Sequence, residues 1–508
     1  MRHRRSCLAA GLLLLAAGCK GHIIDGDLPG QINPPGTTTP ALGLRLGGTG
    51  FDQIVDLAPD PDGSVYVTGT FSGSVDFDPG TGVTVLTSIG LADIFLAKYT
   101  ATGALVWASR LGGTVQDSVA SLARDASGNL YIAGGFEGAA DFDPGPATQF
   151  LTSVGGEDGF VAKFTNTGTL TWARRFGSTG PDQVVDVAVD AAGNSYAAGV
   201  FQGQADLLPA PGGQIVSNGN APDGFLLALD PVGAARWAYP IGSVQSDGAA
   251  AVAVTSDGSV VVGGVFRGIA DFRSGSTTLQ LTSAGGTDAF LAGYTAAGTL
   301  RWARAMTGTS DEDVQAGGLA ADASGGVVFS GGFAGTTTFG SGSGSTIRTS
   351  LGPSDWYVAA FDVSGTFQSV FAVGGTGPDI APRIAVDEGG NLLVTGGFRG
   401  PVDFDPGASS RILTSLATAG SDAFAARYTP AGALLWANSF GESTAAPDRI
   451  TAGAAIAPGG QSTALVGGRF FGSPNFGGAA AAFSVTSFGD ADGFLVKLNS
   501  SGALAAKP

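Results

Sequence analysis

Two cysteines and two histidines occur in 508 residues, and none of the four falls in the repetitive body of the chain. Cys7, Cys19, His3 and His22 all stand near the N-terminus. The body from residue 41 onward therefore offers no disulfide, no thiol nucleophile and no imidazole. Ser-His and Cys-His catalysis are excluded there, as are His-ligated zinc sites. Charge is also scarce: 13% of residues are Asp, Glu, Lys or Arg, with a net of −17. Nucleic acid needs a basic footprint and is not expected as a partner. The acidic excess is spread thinly and reads as a solubility device. No run beyond the leader reaches the roughly 18 apolar residues of a membrane span.

The leader has its own pattern. Arg2, Arg4 and Arg5 precede an apolar stretch from Leu8 to Ala17, then Ala16-Ala17-Gly18-Cys19. A basic start, a short apolar core and small residues before the cut describe a secretory signal. The small-small-Cys ending resembles a bacterial lipoprotein lipobox. That resemblance implies that Cys19 becomes the lipidated first residue, and Lys20 in place of Asp implies the outer membrane. Residues 19–40 are rich in Gly, Pro and Thr and read as a flexible tether. The organisation expected is thus a signal peptide at 1–18, a tether at 19–40 and one folded body at 41–508. A lipid-anchored monomer of the cell envelope is expected.

What is abundant is glycine, 85 residues, and repetition. Trp107, Trp172, Trp237 and Trp302 are evenly spaced along the chain, each inside a phrase such as LVWA or LTWA. Phe-x-Gly recurs from Phe71, Phe136, Phe201, Phe266, Phe333, Phe398 and Phe470. Asp93, Asp158, Asp223, Asp288, Asp355, Asp422 and Asp492 each precede an aromatic by two residues. Within a unit, VVDVAVD (184–190), NLYIAGGF (129–136), GFVAKF (159–164) and TLTWARRFG (169–177) read as four strands joined by Gly-containing turns. Four antiparallel strands per repeat are the signature of a β-propeller. The phrases GNLYIAGGF, EDGFVAKF and TLTWARRFGSTGPD resemble the bacterial β-propeller repeat known as SBBP, over residues 42 to 506. The resemblance implies the fold and little about function. This chain departs from it by about twenty extra residues between the second and third strands.

The tryptophan strand recurs at Trp436 and, in degenerate form, at Ser369. Leu42 stands one full repeat before Trp107, and Ala506 holds the tryptophan slot at the chain end. The fold expected is therefore all-β, a seven-bladed β-propeller whose last blade is completed by an N-terminal strand. Strand 41–47 should pair beside strand 493–498, leaving no open edge.

The recurrent aromatics read as core. Trp356 replaces the small residue that usually follows the repeated Asp, and an exposed ring able to stack on a ligand is expected there. The loops leading into the first strand carry Asp52, Asp117, Asp182, Asp247, Asp379 and Asp448, with Glu312 or Asp313 in the fifth unit. The second-to-third loops carry Asp76-Phe-Asp78, Asp141-Phe-Asp143 and Asp403-Phe-Asp405. Paired carboxylates suit Ca²⁺, which takes six to eight oxygens. They equally suit Asp-Pro-Gly turns in which Asp accepts loop amides. The motif decays in the other units to DLL (206–208), DFR (271–273), TFG (338–340) and NFG (475–477).

Two function classes remain. One is a non-enzymatic, surface-tethered binding or scaffold module for a protein or glycan. The other is a polysaccharide-acting enzyme with paired Asp carboxylates, which needs one cleft and two carboxylates about 5–10 Å apart. No carboxylate is singular among the units, and no Gly-rich phosphate loop precedes a helix.

Overall fold

The computed structural model describes residues 43–505, apart from 208–213, 217–220, 309–315, 381, 416–419, 442–451, 461, 475, 477–482 and 484. Cys19, the signal and the tether lie outside the described residues, as do Glu312, Asp313, Asp448 and Ala506. The described chain is all-β, with a single 3₁₀ turn at Gly342–Gly344.

Each unit is an antiparallel sheet in chain order. In the third repeat, Gln183–Val189 pairs with Ser195–Phe201, which pairs with Asp223–Leu229, which pairs with Ala235–Gly242. The turn after the first strand forms as the D-x-x-G-N phrase dictates. Asp190 Oδ1 accepts from the amides of Ala192 and Asn194, both at 2.9 Å, and Gly193 takes φ 80°. That left-handed backbone is open to glycine at little cost.

Burial grades across each sheet. Second and third strands, such as Leu392–Phe398 and Asp422–Tyr428, are buried along their whole length. Fourth strands, such as Leu170–Phe176, are partly exposed. Residues buried on both faces need a sheet on either side. The core clusters meet that need, for each mixes two successive units. Ala58, Tyr66 and Ile94 pack with Leu122, Ile132 and Phe160 of the next repeat. Ile54 and Leu57 of the first repeat pack with Ala455, Leu465 and Leu495 of the last. The first strands also touch in cyclic order, from Gln53–Pro59 through each successive repeat to Ala452–Pro458, which touches Gln53–Pro59 again. Strand Gly43–Leu46 joins the last repeat, Leu44 opposite Leu495 and Leu46 opposite Gly493.

The recurrent tryptophan seals one unit to the next. Gly233 (φ 79°) in the turn of the third repeat lies so close to Trp172 that a Cβ would sit 2.7 Å from the ring. The indole Nε1 of Trp172 donates to Pro231 O at 3.1 Å. Trp237 and Trp302 repeat the bond to Ala296 O and Val363 O. In the degenerate copy at Ser369, the ring of Phe371, two residues on, takes the same place beneath Gly432.

The extra residues between second and third strands are not a loop. They form a hairpin, Ser74–Asp76 with Val85–Thr87 in the first repeat and Pro401–Asp403 with Ile412–Thr414 in the sixth. In the second and fourth repeats the hairpin continues the strands themselves, Leu130–Asp141 with Phe150–Phe164 and Val260–Ser274 with Thr277–Tyr294. The hairpins also reach back to the preceding repeat, for Gly112 pairs with Asp141 and Gly374 with Asp403. The insertion is a strap between neighbours.

Candidate functional site

The D-F-D motif lies at the end of this strap. Phe77, Phe142 and Phe404 are fully buried and pack on the core, Phe77 at 4.9 Å from Phe95 and Phe142 at 4.6 Å from Phe160. The flanking carboxylates turn to the backbone. Asp76 Oδ1 accepts from the amides of Asp78 (3.0 Å) and Thr84 (2.8 Å), and Asp78 Oδ1 from Gly80 (2.8 Å). Asp141 accepts from Asp143 and Gln149, and Asp143 from Gly145. Asp403 accepts from Asp405 and Arg411, and Asp405 from Gly407. The identical bonds in three repeats account for the motif as a hairpin closure. Among the described residues no group of three or more His, Cys, Asp or Glu is placed to hold a metal ion. Excess EGTA is expected to leave the melting temperature unchanged. A fall of several degrees, with calcium found by mass spectrometry, would support the calcium reading instead.

Among the described residues, the Asp residues before the first strands, Asp52, Asp117, Asp182, Asp247 and Asp379, are buried and stitch segments together. Asp247 accepts from the amides of Ser243 (2.5 Å) and Arg267 (2.7 Å). Asp52, Asp182 and Asp379 make the same two bonds, four residues back and twenty ahead. The repeated Asp of the third strand lies beside them: Gly177 is wedged between Asp158 and Asp182. Carboxylate pairs thus recur at successive junctions. Burial pushes Asp117, Asp379 and Asp492 up to about 7, and Asp52 and Asp247 up to about 6, against the pull of their amide donors. Burial also raises Asp182, Asp288 and Asp355.

Trp356 is fully buried, which corrects the expectation of an exposed ring. It stacks on Phe424 of the next repeat at 5.5 Å and 10°, with Phe371, Phe404 and Tyr428 around its edge. A ring filled on all sides cannot stack on a ligand.

One level of the first strands breaks the symmetry. Asp56 pairs with Thr68, Ser121 with Ala133, Asp186 with Ala198, Ala251 with Gly263, Gly318 with Ser330, Arg383 with Thr395 and Ala455 with Gly467. These are seven equivalent positions with three charges among them. Asp56 accepts from Leu122 N at 2.7 Å, and Asp186 from Val252 N at 2.8 Å and Ser121 Oγ at 2.7 Å. Burial raises Asp56 to about 6, and raises Asp186, although Arg383 acts on both in the opposite sense. Position-by-position comparison of the units would have found this level; the strand pattern alone hides it behind a bulge. Both carboxylates are engaged with the amides of the following repeat, so even the singular pair is tied into the fold.

No family model matches the chain. A stretch of 279 residues is 27% identical to the regulatory protein FlaEY of Caulobacter vibrioides, covering 52% of this chain and 28% of that protein. A second stretch of 143 residues is 28% identical to an uncharacterised WD repeat-containing protein of Acanthamoeba polyphaga mimivirus, covering 26% of this chain and 10% of that protein. The chain thus spans under a third of the length of either relative. Solved structures similar to it include the Neurospora crassa Pan2 WD40 domain (10% identity, TM-score 0.32, covering 68% of this chain and 86% of that one). Sqt1 from Chaetomium thermophilum is another (11%, TM-score 0.32, 85% and 97%). The repeat read from the strands is that of a β-propeller repeat protein.

Proposed function

We propose that the chain is a non-enzymatic binding or scaffold module, built as a closed seven-bladed propeller of SBBP type. In this reading a lipid on Cys19 and the tether at 19–40 hold it at the outer membrane, facing a protein or glycan partner. The cyclic contact of the first strands and the pairing of Gly43–Leu46 with Asp492–Leu498 support closure. The observation that carries the functional reading is the fate of the carboxylates. The recurrent acids and the singular pair Asp56 and Asp186 are engaged with backbone amides, whereas a glycosidase needs one carboxylate free to donate a proton and another free to attack or activate water.

The reading is tested on the full chain in its native envelope. Wild type should carry a metabolically incorporated fatty acid and sediment with outer membranes, and Cys19→Ala should do neither. The purified protein should release no reducing ends from envelope polysaccharides. Release that is lost in Asp56→Asn and Asp186→Asn would establish the enzymatic alternative instead.

A further inference from the structure

A cavity of about 220 Å³ lies between the second and third repeats, lined by residues that include Asp125, Ser127, Asn129, Lys163, Gly193 and Pro231. Lys163 is the one cation among the described residues that line it. The side chain is 9% exposed, runs under the Tyr131 ring at 4.9 Å, and donates to Pro231 O at a long 3.3 Å. Its nearest carboxylate, Asp125, is 3.9 Å away.

The sister positions show what is missing. Lys98, Lys163 and Arg427 occupy equivalent places, opposite Trp107, Trp172 and Trp436. Lys98 makes a 2.8 Å bridge to Asp60 and bonds Tyr66 at 3.0 Å, while Arg124 of the next repeat reaches the same Asp60 at 2.7 Å. Arg427 is in direct contact with Asp387. At the junction of the second and third repeats, Val189 takes the place that Arg124 holds in the unit before, last in its strand, and is too short to fill the gap. Asp125 is drawn into its own turn, accepting from the amides of Ser127 (2.9 Å) and Asn129 (2.8 Å) and from Asn129 Nδ2 (2.7 Å). A buried ammonium with poor partners costs free energy that a bound anion recovers.

We infer that this cavity binds a small carboxylate, whose oxygens take the open donors of Lys163 beside the Ser127 hydroxyl. The volume suits an acid of few heavy atoms, below the usual range for drug-sized ligands. A monoanion fits better than a phosphate dianion, because Asp125 adds repulsion at 3.9 Å from the ammonium.

Saturation-transfer NMR on the full chain at pH 7, with acetate and inorganic phosphate as probes, tests the site. Acetate should give a saturable signal that weakens at least about tenfold in Lys163→Met, the loss expected for one charge-assisted bond. Lys98→Met should leave it unchanged. Lys163→Met risks misfolding, so Ala192→Asp, on the exposed rim, provides a second variant. Its carboxylate should compete for the ammonium and weaken acetate without lowering the melting temperature. Equal acetate signals in wild type and both variants would overturn the site. So would phosphate binding more tightly than acetate, or no acetate signal in the wild type.

Discussion

A chain lacking residues 1–47 is expected to melt several degrees below one lacking residues 1–40, and to aggregate. The difference lies in one short strand. Leu44 and Leu46 are buried in the cluster that joins the last repeat to the first, against Ile54, Leu57, Phe71 and Leu495. Each buried leucine is worth about 1.5–3 kcal/mol, so the two contribute about 3–6 kcal/mol. Whole domains are stable by only about 5–15 kcal/mol. Arg45 adds a stack at 3.4 Å over Phe488 and an ion pair at 3.6 Å to Asp492. Removing the strand also opens the edge of Asp492–Leu498, and an unpaired edge recruits other chains. Scanning fluorimetry and size-exclusion chromatography read both effects. A synthetic peptide of residues 41–50, added in trans, should recover part of the loss. If the two truncations melt together, the strand does not hold the last repeat in place.

The pairing of that strand was legible because a repeat of fixed length predicts its own missing pieces. Leu42 sits one full repeat before Trp107, so the N-terminus had to supply a fourth strand somewhere. The strands and the D-x-x-G-N turns were legible for a similar reason, since both are local patterns. What stayed hidden depends on neighbours distant in sequence. Trp356 looked exposed because most sister repeats hold a small residue there, whereas the ring it stacks on, Phe424, belongs to the next repeat. The D-F-D insertion read as a loop because its strands are as short as three residues, as at Ser74–Asp76, and the pairing of such a hairpin with the previous repeat leaves no periodic trace. The candidate sites were hidden more deeply. A repeated Asp can mean a ligand or a stitch, and only the bonds to the amides four back and twenty ahead decide it. The charges at Asp56, Asp186 and Arg383 follow a bulge in most repeats, which shifts the register and disguises their equivalence.

Those buried carboxylates give the second large effect: the protein should be more stable at pH 5 than at pH 8. Burial raises Asp117, Asp379 and Asp492 to about 7 and Asp52, Asp56 and Asp247 to about 6, from the ordinary value of 3.8. The folded state then holds protons that the unfolded chain has already released. Such a group contributes its full stability below about pH 4 and loses it as pH rises through 6 to 7. One pKa unit is worth about 1.4 kcal/mol, so a single carboxylate raised to about 7 changes stability by about 4 kcal/mol across the window. Surface carboxylates with lowered values, the exposed Asp62 and Asp257 and the half-buried Asp362, act in the opposite sense, but only below pH 4. The optimum should therefore lie near pH 4–5, with a melting temperature at least about 5 °C above that at pH 8. Asp117 faces Asp93 and Arg110, and its exchange by Asn keeps an acceptor for Gly113 N while removing the titration. Asp117→Asn should flatten the slope between pH 5 and 8 and raise stability at pH 8. A melting temperature that rises from pH 5 to pH 8 would mean that the amide donors outweigh burial, and that the stitches are ionised throughout.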